Sequence, residues 1–177
     1  MDKNNANIVL LGSGCFWHPE MIFHRTDGVI STKVGYAGGT TENPTYAEVC
    51  SGQTGHAEVV EVIFDEDVIS YETILEVFFT VHDPTQLNRQ GNDIGTQYRS
   101  AIFYIDDEQK IIADNVKQKF QQYFDSEIVT EITKLSNYHE AEEYHHNYFK
   151  LNPGNGYCQM VVAPKLSKVR RKMAHLY

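Results

Sequence analysis

A net charge of −9 over 177 residues argues against two partner classes at once, nucleic acid and anionic membrane surfaces. With 41% apolar and 22% charged residues the chain reads as one ordinary globular domain spanning 1–177, large enough to bury a core without staples. Three cysteines exclude a disulfide framework, and no run approaches the ~20 apolar residues of a membrane helix. The first apolar run, "NIVLL", is too short for the core of a signal peptide. The expected compartment is therefore a reducing cytoplasm, where a cysteine pair is more often catalytic than structural. The charge is uneven: residues 159–177 carry Lys165, Lys168, Arg170, Arg171 and Lys172 and no acid, a basic tail on an acidic body.

In chain order, residues 7–11 predict a buried strand, followed by Gly12-Ser13-Gly14 and a helix from about 16 to 25. Pro19 fits its first turn, where a missing N–H costs nothing. Residues 29–36 alternate as a strand, 43–58 read as a loop, and 57–64 ("AEVVEVIF") as another strand. Apolar spacing predicts a helix over 71–82, and 83–97 reads as a polar, turn-rich loop long enough to suggest function. A strand over 98–105, an amphipathic helix over 108–124, a strand over 127–135 and a helix over 138–149 complete the pattern. Strands mixed with helices indicate an α/β or α+β fold.

Four segments carry residues suited to chemistry. Cys15 stands between a Gly-Ser-Gly turn and the bulky Phe16 and Trp17. At a helix start its thiol meets the positive end of the helix dipole, which favours the reactive thiolate. The plain alternative is a buried structural cysteine in a strand-helix corner. Glu58 opens an apolar strand on the face of Val60 and Val62, so its carboxyl is either solvated or buried and neutral. The same stretch holds Tyr46 and Cys50. Cys50, with neither helix end nor cation beside it, reads as structural. The polar segment 82–100 brings Asp93 and Tyr98, and 138–158 brings His139, His145 and Cys158. The His139-Glu140 pair begins like H-E-x-x-H, but Glu143 stands where the second histidine is needed, so a zinc site is weakly signalled.

Five blocks stand in order along the chain: "GCFW", "GYAGG", "NPTYAEVCSGQTGHAEVVEV", "HDPTQLNRQGNDIGTQYRS" and "NPGNGYC". Together they resemble the A-type peptide methionine sulfoxide reductases over about residues 8–166. The resemblance implies a two-layer α/β sandwich around a mixed sheet. It implies Cys15 as nucleophile, Phe16 and Trp17 as the pocket for the substrate's methyl group, and Tyr46, Glu58 and Tyr98 as the groups that bind and protonate the sulfoxide oxygen. Asp93 and His145 match supporting residues of the binding site, and Cys158 matches a resolving cysteine. Implied too are methionine-S-sulfoxide as substrate, thioredoxin as reductant, a monomer, and no metal or organic cofactor. One local departure stands out: the family's "GCFWG" continues here as "GCFWHPE", with His18 in place of glycine. A cysteine peroxidase and a non-enzymatic zinc-binding module are the alternative readings.

Overall fold

A computed structural model describes residues 6–146. Six strands form a mixed sheet in the order β7-β6-β1-β3-β2-β8, where β1 is Ala6–Ser13, β2 Val29–Ala37, β3 Ala57–Asp65, β6 Ser100–Tyr104, β7 Glu131–Lys134 and β8 Tyr138–Glu140. Every neighbouring pair is antiparallel except β6 and β7. That parallel pair is joined by helix α4 (Asp107–Gln121), because parallel neighbours need a crossover that a tight turn cannot supply. A separate two-stranded hairpin pairs β4 (Arg89–Gln90) with β5 (Asp93–Ile94).

Both faces of the central strands are covered, which is why β1 and β3 are rich in apolar residues on both faces. Val9, Leu11, Val60, Val62, Phe64 and Ile102 pack against helices α1 (Trp17–His24), α3 (Tyr71–Val81) and α4. Leu10, Val59, Ala101 and Phe103 form a smaller cluster on the opposite face. The helix starts are set by local chemistry. Ser70 caps α3 by accepting from the Thr73 N–H, and Asp106 caps α4 by accepting from the Gln109 N–H.

The predicted elements match the observed ones through α4, with two additions inside segments read as loop. A one-turn helix, α2 (Tyr46–Cys50), interrupts the first, and the β4–β5 hairpin with a 3-10 turn at Thr96–Tyr98 structures the second. The strand expected over 127–135 is confined to Glu131–Lys134.

The helix expected over 138–149 is a correction. Tyr138–Glu140 is a strand, and Glu143–His145 a single 3-10 turn; 147–149 lie outside the described residues. The cause is the exposed edge of β2, whose backbone groups need partners. Strand β8 supplies them, in register Gly35↔Glu140, Tyr36↔His139 and Ala37↔Tyr138. Gly35 permits the approach: a Cβ there would stand 2.5 Å from the Tyr138 ring and 2.5 Å from the His139 carbonyl.

Candidate active site

Leu11 pairs with Val60, so the end of β1 and the start of β3 meet at one end of the sheet. Gly14, at φ +91°, turns the chain there in the left-handed region that glycine tolerates best. Cys15 follows, only 5% exposed, one residue before Phe16 at the N-cap of α1. Pro19 lies in the first turn as expected; the side chain of His18 and the whole of Cys158 lie outside the described residues.

No side chain of its own segment caps α1. A carboxyl group from β3 comes to that helix start instead: the Phe16 N–H donates to Glu58 Oε1 at 3.2 Å. Glu58 is 1% exposed, and its Oε2 has no hydrogen-bond partner among the described residues. Burial pushes its carboxyl up to about 8, the bond from Phe16 pulls the other way, and the charge of Asp93 on β5 adds to the rise. At neutral pH Glu58 is therefore mostly a neutral acid, with one oxygen anchored and the other unsatisfied.

Two tyrosines lie within electrostatic reach of this acid. Tyr46 opens α2 and Tyr98 ends the 3-10 turn. Burial, and then the nearby Glu58 charge, raise both phenols above their ordinary range, so both keep their protons. Tyr98 also feels Cys15, which ties the thiol to the same cluster. Cys15, Phe16, Tyr36 and Val49 form one packed group, with Trp17, Tyr46 and Tyr98 against it.

The aromatic wall closes around a histidine. His145 is buried at 1% exposure, with ring centroids 4.5 Å from Tyr46, 5.2 Å from Phe16 and 5.8 Å from Trp17. The Trp17 indole Nε1–H donates to His145 Nδ1 at 3.2 Å, which fixes the neutral ring with its proton on Nε2. Burial lowers the basicity of the ring, against an opposing pull from Glu142. His145 thus orients the tryptophan as an acceptor.

The structure brings Cys15, Phe16, Trp17, Tyr46, Glu58, Asp93, Tyr98 and His145 to one end of the sheet. Sequence reasoning missed three neighbours. Cys50, read as structural, is exposed at the end of α2 yet hydrogen-bonds with both Tyr46 and Tyr98, and partial desolvation raises its thiol above the ordinary range. Tyr36 lies in the "GYAGG" block and is fully buried in the cluster that contains Cys15. Glu142 accepts from the Tyr36 hydroxyl at 3.0 Å and from the Tyr46 N–H at 3.1 Å. Only the helix reading of 138–149 obscured Glu142, because it put the residue on a helix face with His139 as a weak zinc candidate. Among the described residues no group of three His, Cys, Asp or Glu side chains could hold a metal ion.

The family model for peptide methionine sulfoxide reductase matches residues 7–176. The chain belongs to the peptide methionine sulfoxide reductase family. A relative from Natronomonas pharaonis, peptide methionine sulfoxide reductase MsrA, is 55% identical over 166 residues, covering 93% of this chain and 93% of the relative. Among solved structures, reduced Mxr1 from Saccharomyces cerevisiae superposes with a TM-score of 0.83 at 36% identity, covering 87% of this chain and 90% of that one. Mxr1 in complex with Trx2 matches at a TM-score of 0.61 and 27% identity, over 83% of this chain and 87% of that one. The reductase family thus places this chain among oxidoreductases, and its neighbours share the mixed sheet with flanking helices. No helix among the described residues is long and apolar enough to cross a membrane.

Proposed function

We propose that this reductase acts on methionine-S-sulfoxide, free or in peptides, through Cys15. The observation that carries the reading is Glu58: a buried, mostly neutral carboxyl with one oxygen unpartnered and the other held by the N–H of Phe16, a member of the packed cluster that contains the thiol. A thiol breaks an S–O bond best when the departing oxygen is being protonated. Glu58 donates that proton, and the Tyr46 and Tyr98 hydroxyls hold the oxygen. Phe16 and Trp17 receive the S-methyl group, while Asp93 and His145 support the pocket.

Cys15 thiolate attacks the sulfoxide sulfur, the sulfoxide oxygen ends on Cys15, and the proton comes from Glu58. The products are methionine and Cys15 sulfenic acid, so substrate is reduced by two electrons and the thiol oxidised by two. Cys158 then condenses with the sulfenic acid, forming a disulfide and releasing water. A dithiol reduces that disulfide by exchange and leaves as its own disulfide. The Mxr1–Trx2 complex supports thioredoxin in this part. The enzyme is read as a single-domain monomer of a reducing cytoplasm, where reduced thioredoxin is at hand. Protein repair under oxidative stress is the role that fits this chemistry.

The decisive measurement is reduction of resolved R and S methionine sulfoxides, coupled to dithiothreitol and to thioredoxin. The S epimer should be consumed and the R epimer left nearly untouched. Equal rates on both would overturn the stereochemical assignment.

A further inference from the structure

Glu142 hydrogen-bonds to three parts of the site: strand β2, helix α2 and the 3-10 turn that follows it. It follows β8 and precedes the 3-10 turn of His145. Its Oε1 accepts from the Tyr36 hydroxyl on β2 at 3.0 Å. Its Oε2 accepts from the backbone N–H of Tyr46 on α2 at 3.1 Å, and from the Tyr144 hydroxyl at 3.3 Å. Burial works against the charge of Glu142, but hydrogen bonds from its own backbone, from Tyr46 and from Tyr36 outweigh it and hold the carboxyl below its ordinary range.

Helix α2 needs such an anchor. At five residues it is far too short to hold a direction by itself. Its capping box satisfies two local donors: Thr45 Oγ1 accepts from the Glu48 N–H, and Glu48 Oε1 accepts from the Thr45 N–H. Both bonds lie within the segment and fix nothing relative to the sheet. The Tyr46 N–H, the first inside the helix, is an orphan the box does not reach. Glu142 takes it.

The other end of the bridge matters equally. Tyr36 is the cross-strand partner of Glu58 in the β2–β3 register. Residues directly opposite one another in antiparallel strands project to the same face. Tying Tyr46 to Tyr36 therefore ties the oxygen-binding tyrosine to the strand position beside the proton donor.

We infer that Glu142 is a positioning residue of the reductase step, which fixes the Tyr46 hydroxyl relative to Glu58 by bridging the Tyr46 N–H to the Tyr36 hydroxyl. The inference rests on the reading of Tyr46 as a ligand of the sulfoxide oxygen. Glu142 itself touches no substrate.

The test is a double-mutant cycle on the full chain, read as single-turnover methionine release from methionine-S-sulfoxide. Glu142→Ala should lower the saturating rate by about 10–100-fold, the usual range for losing a charge-assisted hydrogen bond at a site. The half-saturating concentration should move less than about threefold, because the lost order bears on the transition state. Glu142→Gln, which still offers an oxygen to the Tyr46 N–H and an amide to Tyr36, should recover most of the rate. In a Tyr46→Phe background Glu142→Ala should cost no more than about threefold, since its effect runs through the missing hydroxyl. If Glu142→Ala does not fold, Tyr36→Phe removes the other end of the bridge and enters the same cycle with the same expected non-additivity.

Full additivity of the two substitutions, a wild-type rate in Glu142→Ala, or a Glu142→Gln as slow as alanine overturns the inference. A Tyr46→Phe variant at the wild-type rate overturns the reading of Tyr46, and the inference with it. A slow Tyr46→Phe with additive Glu142→Ala overturns the inference alone.

Discussion

At Glu58 two quantities share one cause. Burial makes the carboxyl a proton donor at neutral pH, and burial makes its ionised form costly. Its folded value of about 8 lies above the ordinary 4.5, so the folded state holds this proton more tightly than the unfolded chain. Stability from this group is complete below about pH 4.5 and is lost as pH rises through 8, in total on the order of 5 kcal/mol. Glu58→Gln keeps the shape and has nothing to ionise. Its melting temperature should therefore fall less than that of the wild type between pH 5 and pH 9, as scanning calorimetry would show. The same variant should lose about 10²–10⁴ in the rate of sulfenic acid formation, the usual worth of general acid catalysis. The wild-type rate should fall as pH rises through about 8, and in this variant that fall should vanish. A variant that kept the wild-type rate would move the proton's source to a tyrosine or to solvent.

At the scale of elements, the site depends on two short pieces held by tertiary contacts. Thr45→Ala removes the capping box of α2 and should cost about 1 kcal/mol, measured as a lower urea midpoint with unchanged slope. Gly35→Ala drives a Cβ into the Tyr138 ring and the His139 carbonyl, displacing β8 and the Glu142 that follows it. A destabilisation of about 1–3 kcal/mol is expected, with faster amide exchange at residues 138–140. These pieces also mark where the sequence stops being legible. Strands β1 and β3 announce themselves because both faces are buried and their centres, residues 8–11 and 59–64, are rich in Val, Ile, Leu and Phe. Strand β8 does not, because "YHE" has no strand pattern of its own and exists to complete the edge of β2, a need set by residues about a hundred positions away. Helix α2 left one local sign, the Thr45-x-x-Glu48 box, inside a segment whose composition says loop. At the site, Cys15, Glu58 and the aromatics carry recognisable blocks, whereas Glu142 acquires its meaning only when Tyr36 and Tyr46 are brought beside it.

For the molecule as a whole, the proposed cycle assigns different work to each cysteine. One equivalent of methionine-S-sulfoxide without reductant should leave a Cys15–Cys158 disulfide and Cys50 as thiol, by peptide mapping. Cys158→Ser should still release about one equivalent of methionine, then stall as sulfenic acid and lose thioredoxin turnover. A Cys15–Cys50 bridge as the main product would overturn the assignment of Cys158. The strand order adds a constraint on how such a molecule is made. Strand β1 comes first in the chain yet lies inside the sheet, between β3 and β6. On a ribosome adding about 5–20 residues per second, its second partner emerges only after roughly 5–20 s. Throughout that interval Cys15 has no finished pocket, and its thiol meets cellular oxidants as an ordinary cysteine of a nascent chain. Synthesis during an oxidant burst therefore exposes Cys15 before the fold that buries it is complete, so reductase translated before the burst should carry more activity per molecule than reductase translated within it.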